Sequence, residues 1–471
     1  MMTTVVLLIA LLVTPAASPT EEWSRFRGPN GSGLSDTKGL PTDFGPATNV
    51  IWKADLPEGY SSPIISGDRI FLTGIQNDRL VTICLDRKTG KIIWQHDAPR
   101  DRTEKLDKRN HPAAPSAVTD GTTVVFFFAD YGLLAYDMDG KELWRKPLGP
   151  FNNVYGMGAS PVIIDDEVVL NCDQSKGSFI AAFDKKTGQE RWRTSRPEAK
   201  SGHSTPIVYR PASGGTQILV AGSFLLTAYD AKNGAKVWWV RGLSFEIKSV
   251  PVIQGDTLYI NGFGSPDNDP GRHVEVPPAS EVFPKADANG DGKLSESEFP
   301  TQHVKAILQF IDLDGDKSLD REEWDYYKAT ADSENGMLAI RLGGKGDTTD
   351  SAVRWKYQRS VPQLPSPLIY QNVLYMVNDG GIVTTLKPDT GEVIQQGRLK
   401  GALDHYYASP VAADGKIFMA SEKGKVVVLK PDGNLEPVKV NDLEDDIYAT
   451  PALVDGRIYL RTRHTLYCFG S

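Results

Sequence analysis

Short apolar runs separated by turns rich in Gly, Asp and Asn recur along most of this chain and predict β-strands. A small or apolar residue followed by proline opens each group of strands, at Pro63, Pro115, Pro161, Pro206, Pro251, Pro367, Pro410 and Pro451. Most of these prolines are 41 to 52 residues apart, but Pro251 and Pro367 are 116 residues apart. Four strands per repeat at this period are typical of a β-propeller blade. The pattern therefore predicts eight blades, with an insertion in the fifth.

A hairpin turn followed by tryptophan is the second repeated element. An Asp opens the turn, a Gly closes it and a Trp stands four residues later, as in Asp86, Gly90 and Trp94. Further copies end at Trp144, Trp192 and Trp238. The Asp can accept hydrogen bonds from amides of the turn, and the Gly supplies a positive φ. We expect each Trp to lie on the next strand and to fill the gap between neighbouring sheets.

The two ends of the repeat array predict how the ring closes. The last unit stops near Phe469, after its third strand, and residues 49–53 near the start look like the missing fourth strand. Pairing these segments would remove the exposed sheet edge. The expected fold is an all-β, eight-bladed β-propeller whose N-terminal strand closes the last blade; an open β-solenoid is the alternative. Propeller segments are expected at 46–265 and 336–471.

The first residues resemble a signal for export. Residues 5–13 form an apolar core too short to span a bilayer, and small residues follow from Thr14 to Ser18. Against the usual pattern, no Lys or Arg precedes this core. We interpret 1–17 as a signal peptide and 18–45 as an extended lead-in, so the protein is expected to be periplasmic or extracellular. A buried N-terminal strand is the alternative.

Residues 266–335 form the insertion and carry the sharpest chemical motif. Residues 287–298 match the calcium-binding EF-hand loop, with oxygen ligands at positions 1, 3 and 5, Gly at 6 and Glu at 12. The predicted ligands, including the backbone carbonyl of position 7, are Asp287, Asn289, Asp291, Lys293, Ser295 and Glu298. A hard cation needs this density of oxygens, so the loop predicts a Ca²⁺ site.

A second loop begins 25 residues later, at Asp312. Its predicted calcium ligands are Asp312, Asp314, Asp316, Ser318, Asp320 and Glu323. Lys317 stands where Gly is expected, and a non-Gly residue at positive φ costs about 1 kcal/mol. Residues 302–311 are helix-like, so the two loops predict one small, α-helical EF-hand pair in blade five. The insertion follows the second predicted strand of blade five, so we expect it on the same face as the loops that enter successive blades.

Composition narrows the function classes. Lys and Arg total 52 against 60 Asp and Glu, a net charge of −8, which argues against a nucleic-acid partner. Three cysteines are too few for a disulfide scaffold. No other run approaches the ~20 apolar residues of a membrane helix. We expect a monomer with no membrane span.

The Ser-Pro and Asp-x-x-Thr-Gly-x-x-x-Trp elements resemble the PQQ-like β-propeller repeat family over nearly all of 46–471 except the insertion. The lead-in at 23–31 resembles the opening segment of exported bacterial members. Members include quinone-dependent dehydrogenases and a non-catalytic outer-membrane assembly scaffold. The resemblance therefore implies a propeller, but it leaves the activity open.

Loops entering successive blades could form a ligand-binding ring around a central funnel. Its candidate residues are Tyr60, His111, Tyr155, His203, Lys248, Gln363, His405, Tyr407 and Tyr448. The dehydrogenases carry adjacent cysteines against their quinone, and this chain has no such pair. The favoured hypothesis is a non-catalytic, calcium-binding scaffold for a protein or saccharide partner on the loop face. The alternative is a PQQ-dependent alcohol or sugar dehydrogenase with its cofactor in the funnel.

Overall fold

Eight antiparallel sheets form the blades of a propeller in the computed structural model, which describes residues 23–470. The predicted signal peptide lies outside the described residues. Blade one comprises Ile64–Ser66, Arg69–Gln76, Arg79–Asp86 and Ile92–Asp97, and blade two comprises Val118–Thr119, Thr123–Phe128, Gly132–Asp137 and Glu142–Pro147. Blade three comprises Val162–Ile164, Glu167–Cys172, Phe179–Asp184 and Glu190–Ser195, and blade four comprises Ile207–Tyr209, Gln217–Gly222, Leu225–Asp230 and Lys236–Arg241. A short parallel strand, Gly346–Asp347, extends the fourth sheet.

The remaining blades follow the same order of strands, from the centre of the ring outwards. Blade five comprises Val252–Gln254, Thr257–Gly262, Gly336–Arg341 and Val353–Tyr357, and blade six comprises Leu368–Tyr370, Val373–Asn378, Ile382–Leu386 and Val393–Arg398. Blade seven comprises Val411–Ala413, Lys416–Ala420, Lys425–Leu429 and Lys439–Asp442, and blade eight contains Ala452–Val454, Arg457–Arg461 and Thr465–Phe469. The eighth blade is completed by Val50–Asp55, which pairs antiparallel with Thr465–Phe469. The predicted fold class and its ring closure are confirmed.

Tryptophans join neighbouring blades in the way the sequence predicts. The indole of Trp94 in the first blade lies against Gly140 in the turn of the second, where an added Cβ would approach the ring to 2.7 Å. The Trp94 Nε1 atom donates to the carbonyl of Met138 in that same turn, at 3.2 Å. The same contact recurs for Trp52, Trp144, Trp192 and Trp355. Each indole thus requires a glycine in the next blade.

The insertion in blade five is helical. It contains α1 (Ala279–Ala286), α2 (Gln302–Ile311) and α3 (Arg321–Asp332), and a further short helix, α4 (Thr349–Ala352), follows the third strand of that blade. The loop after α1 and the loop after α2 pair through reciprocal backbone bonds between Leu294 and Leu319, at 2.8 and 2.9 Å. Phe283, Leu319 and Trp324 pack in a core of their own. Among residues 23–470, no helix is long and apolar enough to cross a membrane.

The lead-in segment crosses the face of the propeller opposite to the blade-entry loops. Trp23 bridges Ile65 in blade one, and Leu34 bridges Ala412 in blade seven. The amides of Gly39 and Leu40 donate to Asp414, in the turn after the innermost strand of blade seven, at 3.1 Å. The segment therefore spans the ring from one side to the other and closes the central channel from below. Within residues 23–470, short 3₁₀ turns are also present at Pro29–Gly31, Pro266–Asn268 and Asp379–Gly381.

Candidate functional site

A ring of hydroxyl groups surrounds the central channel at the start of the innermost strands. Each hydroxyl accepts a hydrogen bond from the backbone amide of the equivalent residue in the preceding blade, at 2.9 to 3.0 Å. This hydroxyl ring consists of Ser62, Ser116, Ser160, Thr205, Ser366, Ser409 and Thr450. Blade five carries Val250 at the equivalent position. The ring links adjacent blades and points its side chains into the channel.

A cavity of about 200 Å³ lies above this ring, inside the funnel formed by the blade-entry loops. Phe26 of the lead-in segment reaches it from below, and the whole hydroxyl ring lines it. The upper wall contains Tyr60, Tyr155, Tyr407 and Tyr448. The site is therefore a cup with an aromatic wall and a hydroxyl-rich floor.

The wall over blades seven, eight and one is a cluster of three tyrosine rings in contact. The rings of Tyr60 and Tyr448 are stacked with centroids 3.9 Å apart, and Tyr407 meets Tyr448 edge-on at 5.0 Å. The Tyr448 hydroxyl donates to Glu422 at 3.0 Å. Burial raises the pKa of Tyr407 to about 12, so this phenol stays neutral at physiological pH. These contacts fix the rings before any ligand arrives.

The opposite wall is built on blades three to five. The Lys248 ammonium lies 4.7 Å from the centroid of the Tyr155 ring and pairs with the buried carboxylate of Glu246. His203 meets the edge of the same tyrosine at 6.0 Å. Burial and nearby Lys248 lower the pKa of His203 to about 3, so its imidazole is neutral. Its Nε2 atom is shielded from water and has no partner among the described residues.

The charged groups at the mouth are largely neutralised within the protein. Arg109 lies 5.3 Å from the centroid of the Tyr155 ring and pairs with Asp107 at 2.6 Å. Both oxygens of Asp107 are engaged by Arg109, through its backbone amide and its guanidinium. Sequence reasoning missed this pair because a run of alternating charges in a loop looks the same as a solvated surface.

The structure brings together most of the predicted funnel residues. Tyr60, His203, Lys248, Tyr407 and Tyr448 line the cavity, together with Tyr155 and Gln363. His111 lies behind the wall, where its ring packs 4.8 Å from that of Tyr60. Burial lowers the pKa of His111 to about 4.

His405 lies outside the cavity. Its side chain is 67% exposed on the rim, where Nδ1 is 2.9 Å from an oxygen of Asp379. The hydrogen bond to Asp379 and the negative charge of that residue raise the pKa of His405 above its usual value. Two of the predicted residues therefore surround the cup without lining it.

The second loop of the insertion is the candidate metal centre. Asp312, Asp314 and Glu323 each bring one carboxylate oxygen within 4.8 Å of the others. Glu323 is buried, and this burial raises its pKa. A cation would supply the missing counter-charge. Lys317 adopts a φ of 68°, the left-handed conformation expected of the glycine that it replaces.

The first loop repeats the same internal scheme. The Glu298 carboxylate accepts from the amides of Ala288 and Ser295, as that of Glu323 accepts from those of Leu313 and Asp320, at 2.8 to 3.0 Å. Gly292 has a φ of 82° at the sharp turn. The carboxylate and carbonyl oxygens present in both loops are the ligands that calcium prefers. The residues present therefore fit a pair of calcium ions.

The insertion rests on the funnel rim. The Asn152 side chain donates to the carbonyl of Leu313 at 3.0 Å, and the Phe310 ring lies 5.9 Å from the Tyr155 ring in the cavity wall. Lys200 pairs with Glu322 of α3 at 3.1 Å. The candidate metal centre thus adjoins the wall of the cup, on the face that the sequence predicted.

Fold and site together define the class of protein: a propeller of PQQ-like repeats with a helical insertion beside its funnel. Residues 46–179, 175–273 and 332–470 match the family described as outer membrane protein assembly factor BamB. The chain belongs to this family. The gap between the second and third matched segments, residues 274–331, contains most of the helical insertion.

Relatives of both functional types are found. BamB from Shewanella oneidensis is 20% identical over 406 residues, covering 81% of this chain and 88% of that protein. A quinone-dependent 1-butanol dehydrogenase from Thauera butanivorans is 27% identical over 169 residues, covering 33% of this chain. The match spans 26% of the dehydrogenase, about a quarter of its length. The likeness to the dehydrogenase is therefore local.

The solved structure of quinohemoprotein alcohol dehydrogenase from Comamonas testosteroni superposes with a TM-score of 0.59 at 12% identity. The superposition covers 96% of this chain and 81% of that one. This likeness concerns the fold alone.

The funnel does not fit a metal-bound quinone. Asp107 is the one carboxylate among the described residues that line the cavity, and Arg109 holds both of its oxygens. The Asn110 side chain is also engaged, donating to the Tyr155 carbonyl and accepting from the His111 amide, both at 2.8 Å. No free carboxylate remains in the described wall for the cofactor's calcium ion. The candidate calcium loops lie in the insertion, outside this cavity.

Proposed function

We propose that this chain is an exported, calcium-binding propeller that holds a protein partner on its funnel face and catalyses no reaction itself. The observation that carries this proposal is the preformed aromatic cup, in which Tyr60 stacks on Tyr448 and Tyr407 meets Tyr448 edge-on. Rigid tyrosines are typical of the core of protein interfaces, because they bury a large area at a small cost in conformational entropy.

The titration behaviour of the cup favours binding over acid–base catalysis. A general acid or base works best when its pKa lies near the working pH. Burial holds the pKa of His203 at about 3 and that of His111 at about 4. Burial also raises the pKa of Tyr407 to about 12. These groups remain neutral near pH 7, where they can pack and donate hydrogen bonds.

Calcium would act as a structural ion in the insertion, which we interpret as a paired EF-hand. The first loop would use Asp287, Asn289, Asp291, Lys293, Ser295 and Glu298, and the second Asp312, Asp314, Asp316, Ser318, Asp320 and Glu323. A cation at the second loop would compensate the buried charge of Glu323. Because that loop bonds to Asn152 on the rim, the ion would also hold the insertion against the funnel.

Export supports the same proposal from the sequence. The apolar core at 5–13 predicts secretion, and compartments outside the cytosol supply the calcium that these loops require. Family membership adds that one relative, of which this chain covers 88%, is named as an assembly factor of the outer membrane. That name favours a protein partner over a small substrate.

Site-specific photo-crosslinking in the producing cells tests the partner proposal. The variant carries p-benzoylphenylalanine in place of His405, which is exposed on the funnel rim. The matched control carries it in place of Ile92, which is 45% exposed on an outer strand. We expect a discrete protein adduct from the rim position that disappears in a Tyr448→Ala background. Equal adducts at both positions, or none at the rim, would contradict the proposal.

A further inference from the structure

We propose that the floor of the cup binds a single oxyanion group, a carboxylate or a phosphate, presented to the hydroxyl ring. The inference stands apart from the partner proposal, because it concerns the floor of the cavity and not its rim. It rests on two independent features: hydroxyl donors without acceptors and buried guanidinium groups without carboxylates.

The hydroxyl ring is a set of hydrogen-bond donors that converge on one cavity. Each hydroxyl already accepts an amide bond from the preceding blade, so its own O–H proton must be donated elsewhere. Within residues 23–470, none of the seven donates to a protein acceptor, and all seven line the cavity. Donors arranged in this way call for a ligand group rich in acceptor lone pairs, which an oxyanion is.

Two arginines of the lead-in segment add positive charge below the ring. Arg25 donates to the carbonyl of Pro206, and Arg27 donates to that of Pro367 at 2.8 Å. These prolines directly follow Thr205 and Ser366, two members of the ring. Phe26, between the arginines in sequence, lines the cavity itself. Both guanidinium groups therefore lie close beneath the floor.

Neither arginine has a counter-ion among the described residues. Both side chains are buried, and their Nε atoms, together with Nη1 of Arg27, have no hydrogen-bond partner in the described chain. Burial alone, with no neighbouring carboxylate to oppose it, lowers the pKa of Arg27 to about 9. A buried cation is costly unless an anion or several acceptors compensate it.

Arg461 is a third buried arginine, and its Nε atom also lacks a hydrogen-bond partner among the described residues. It is equally buried, yet it donates to the carbonyls of Pro57, Ser61 and Thr73 and to the Ser61 hydroxyl. Arg25 and Arg27 each have one such acceptor. The Nη groups of Arg25 and Arg27 therefore have fewer protein acceptors than those of Arg461.

The cavity also limits the size of the ligand. A volume of about 200 Å³ holds a small oxyanion or the end of a chain, and is below the ~300–1,000 Å³ of sites for larger ligands. The oxyanion could be free in solution or be the terminal carboxylate of a polypeptide that enters the funnel. Both sources offer the same chemistry to the floor, so the experiment must separate them.

Calorimetric titration of the full chain with two probes makes this test. Sodium sulfate represents the free anion, measured against sodium chloride at equal ionic strength. N-acetyl-diglycine and its C-terminal amide represent the attached carboxylate. We expect one-to-one binding of sulfate if the source is a free anion. Binding of the acid but not of its amide, without sulfate binding, would identify an attached carboxylate. Failure of both probes to bind the wild-type protein overturns the proposal.

Variants distinguish anion binding at the floor of the cavity from a general effect of the protein's charge. Arg27→Gln should weaken binding of the probe at least tenfold, whereas Arg241→Gln, an exposed residue on an outer strand, removes the same charge and should change it less than twofold. Val250→Thr adds an eighth hydroxyl and should tighten binding. If Arg27→Gln does not fold, two other measurements test the proposal. One is binding of the probe to Val250→Thr, and the other is an anomalous diffraction peak of selenate, or of a bromine-labelled acid probe, at the floor of the wild-type protein. Binding that is equal in all folded variants, or a peak elsewhere only, contradicts the proposal.

Discussion

Val250 interrupts the hydroxyl ring, and replacing it by threonine tests how the ring joins the blades. In seven blades a ring hydroxyl accepts an amide bond of 2.9 to 3.0 Å from the preceding blade. In blade five the valine side chain stands at this position, and the amide of Thr205 has no acceptor among residues 23–470. Val250→Thr replaces one methyl group by the missing acceptor at almost unchanged volume.

The expected magnitude follows from two opposing effects. Supplying an acceptor to an unpaired buried amide contributes about 1–3 kcal/mol. Losing one buried methyl group costs about 0.8 kcal/mol. The balance predicts a gain of about 1 kcal/mol for Val250→Thr. Val162→Thr is the control, because Val162 is fully buried among apolar residues of another blade and should lose about 1–3 kcal/mol.

Differential scanning calorimetry of the two variants provides the assay. A chain of this size has an unfolding entropy of about 2.1 cal/mol/K per residue, so 1 kcal/mol shifts the melting temperature by roughly 1 °C. We expect Val250→Thr to melt slightly above the wild type and Val162→Thr below it. A decrease for Val250→Thr as large as that for Val162→Thr would refute the role assigned to the ring.

Three further predictions concern calcium, pH and the blade contacts. Asp287→Ala combined with Glu298→Ala should abolish calcium binding at the first loop in a calorimetric titration, while the propeller melts as before. Burial lowers the pKa of His203 to about 3, so below pH 6.5 the unfolded state binds a proton that the folded state lacks, and this contribution should lower the stability by about 2 kcal/mol by pH 5. His111, with its pKa lowered to about 4, should add a similar loss. In a pH series of urea unfolding, His203→Gln should remove the His203 part of the loss and leave the His111 part. Gly140→Ala should destabilise by about 1–3 kcal/mol in urea unfolding, because its Cβ would meet an indole ring at 2.7 Å.

Each of these predictions has its own control. Unchanged calcium binding in the double variant would contradict the assignment of the first loop. An acid slope that His203→Gln leaves unaltered would show that other groups cause the loss. Gly255 has a similar positive φ, of 60°, with nothing within 4 Å of an added Cβ. Gly255→Ala therefore measures the backbone cost alone, and an equal loss in Gly140→Ala would exclude the steric contact.

The fold could be predicted from sequence because each blade repeats the same short-range strand and turn pattern. The marker prolines and the turns before Trp94 and Trp192 act within one hairpin, so their meaning does not depend on distant contacts. The closing strand, Val50–Asp55, could be inferred because one unit lacked its last strand. The helix Gln302–Ile311 was visible from its periodicity and agrees with the structure.

The floor of the site could not be predicted in the same way. Arg25, Phe26 and Arg27 reach the channel only because the lead-in segment crosses the ring, which no local pattern reveals. The hydroxyl ring did leave a signal, since Ser or Thr precedes six of the eight marker prolines, the exceptions being Ala114 and Val250. The sequence alone does not show that these hydroxyls meet around one channel, because they come from different blades. His405 lies in a blade-entry loop as predicted, but its side chain is on the rim and does not line the cavity.

The most direct test of the central claim is a titration of the calcium-loaded protein with PQQ, followed by calorimetry and by the absorbance of the quinone. The funnel is proposed to be a binding cup and not a cofactor site, because the Asp107 carboxylate is already paired with Arg109. The Asn110 side chain is also hydrogen-bonded through both its nitrogen and its oxygen. We predict no saturable one-to-one binding at micromolar protein. Tight one-to-one binding with a shifted quinone spectrum would contradict the account and make a dehydrogenase the better conclusion.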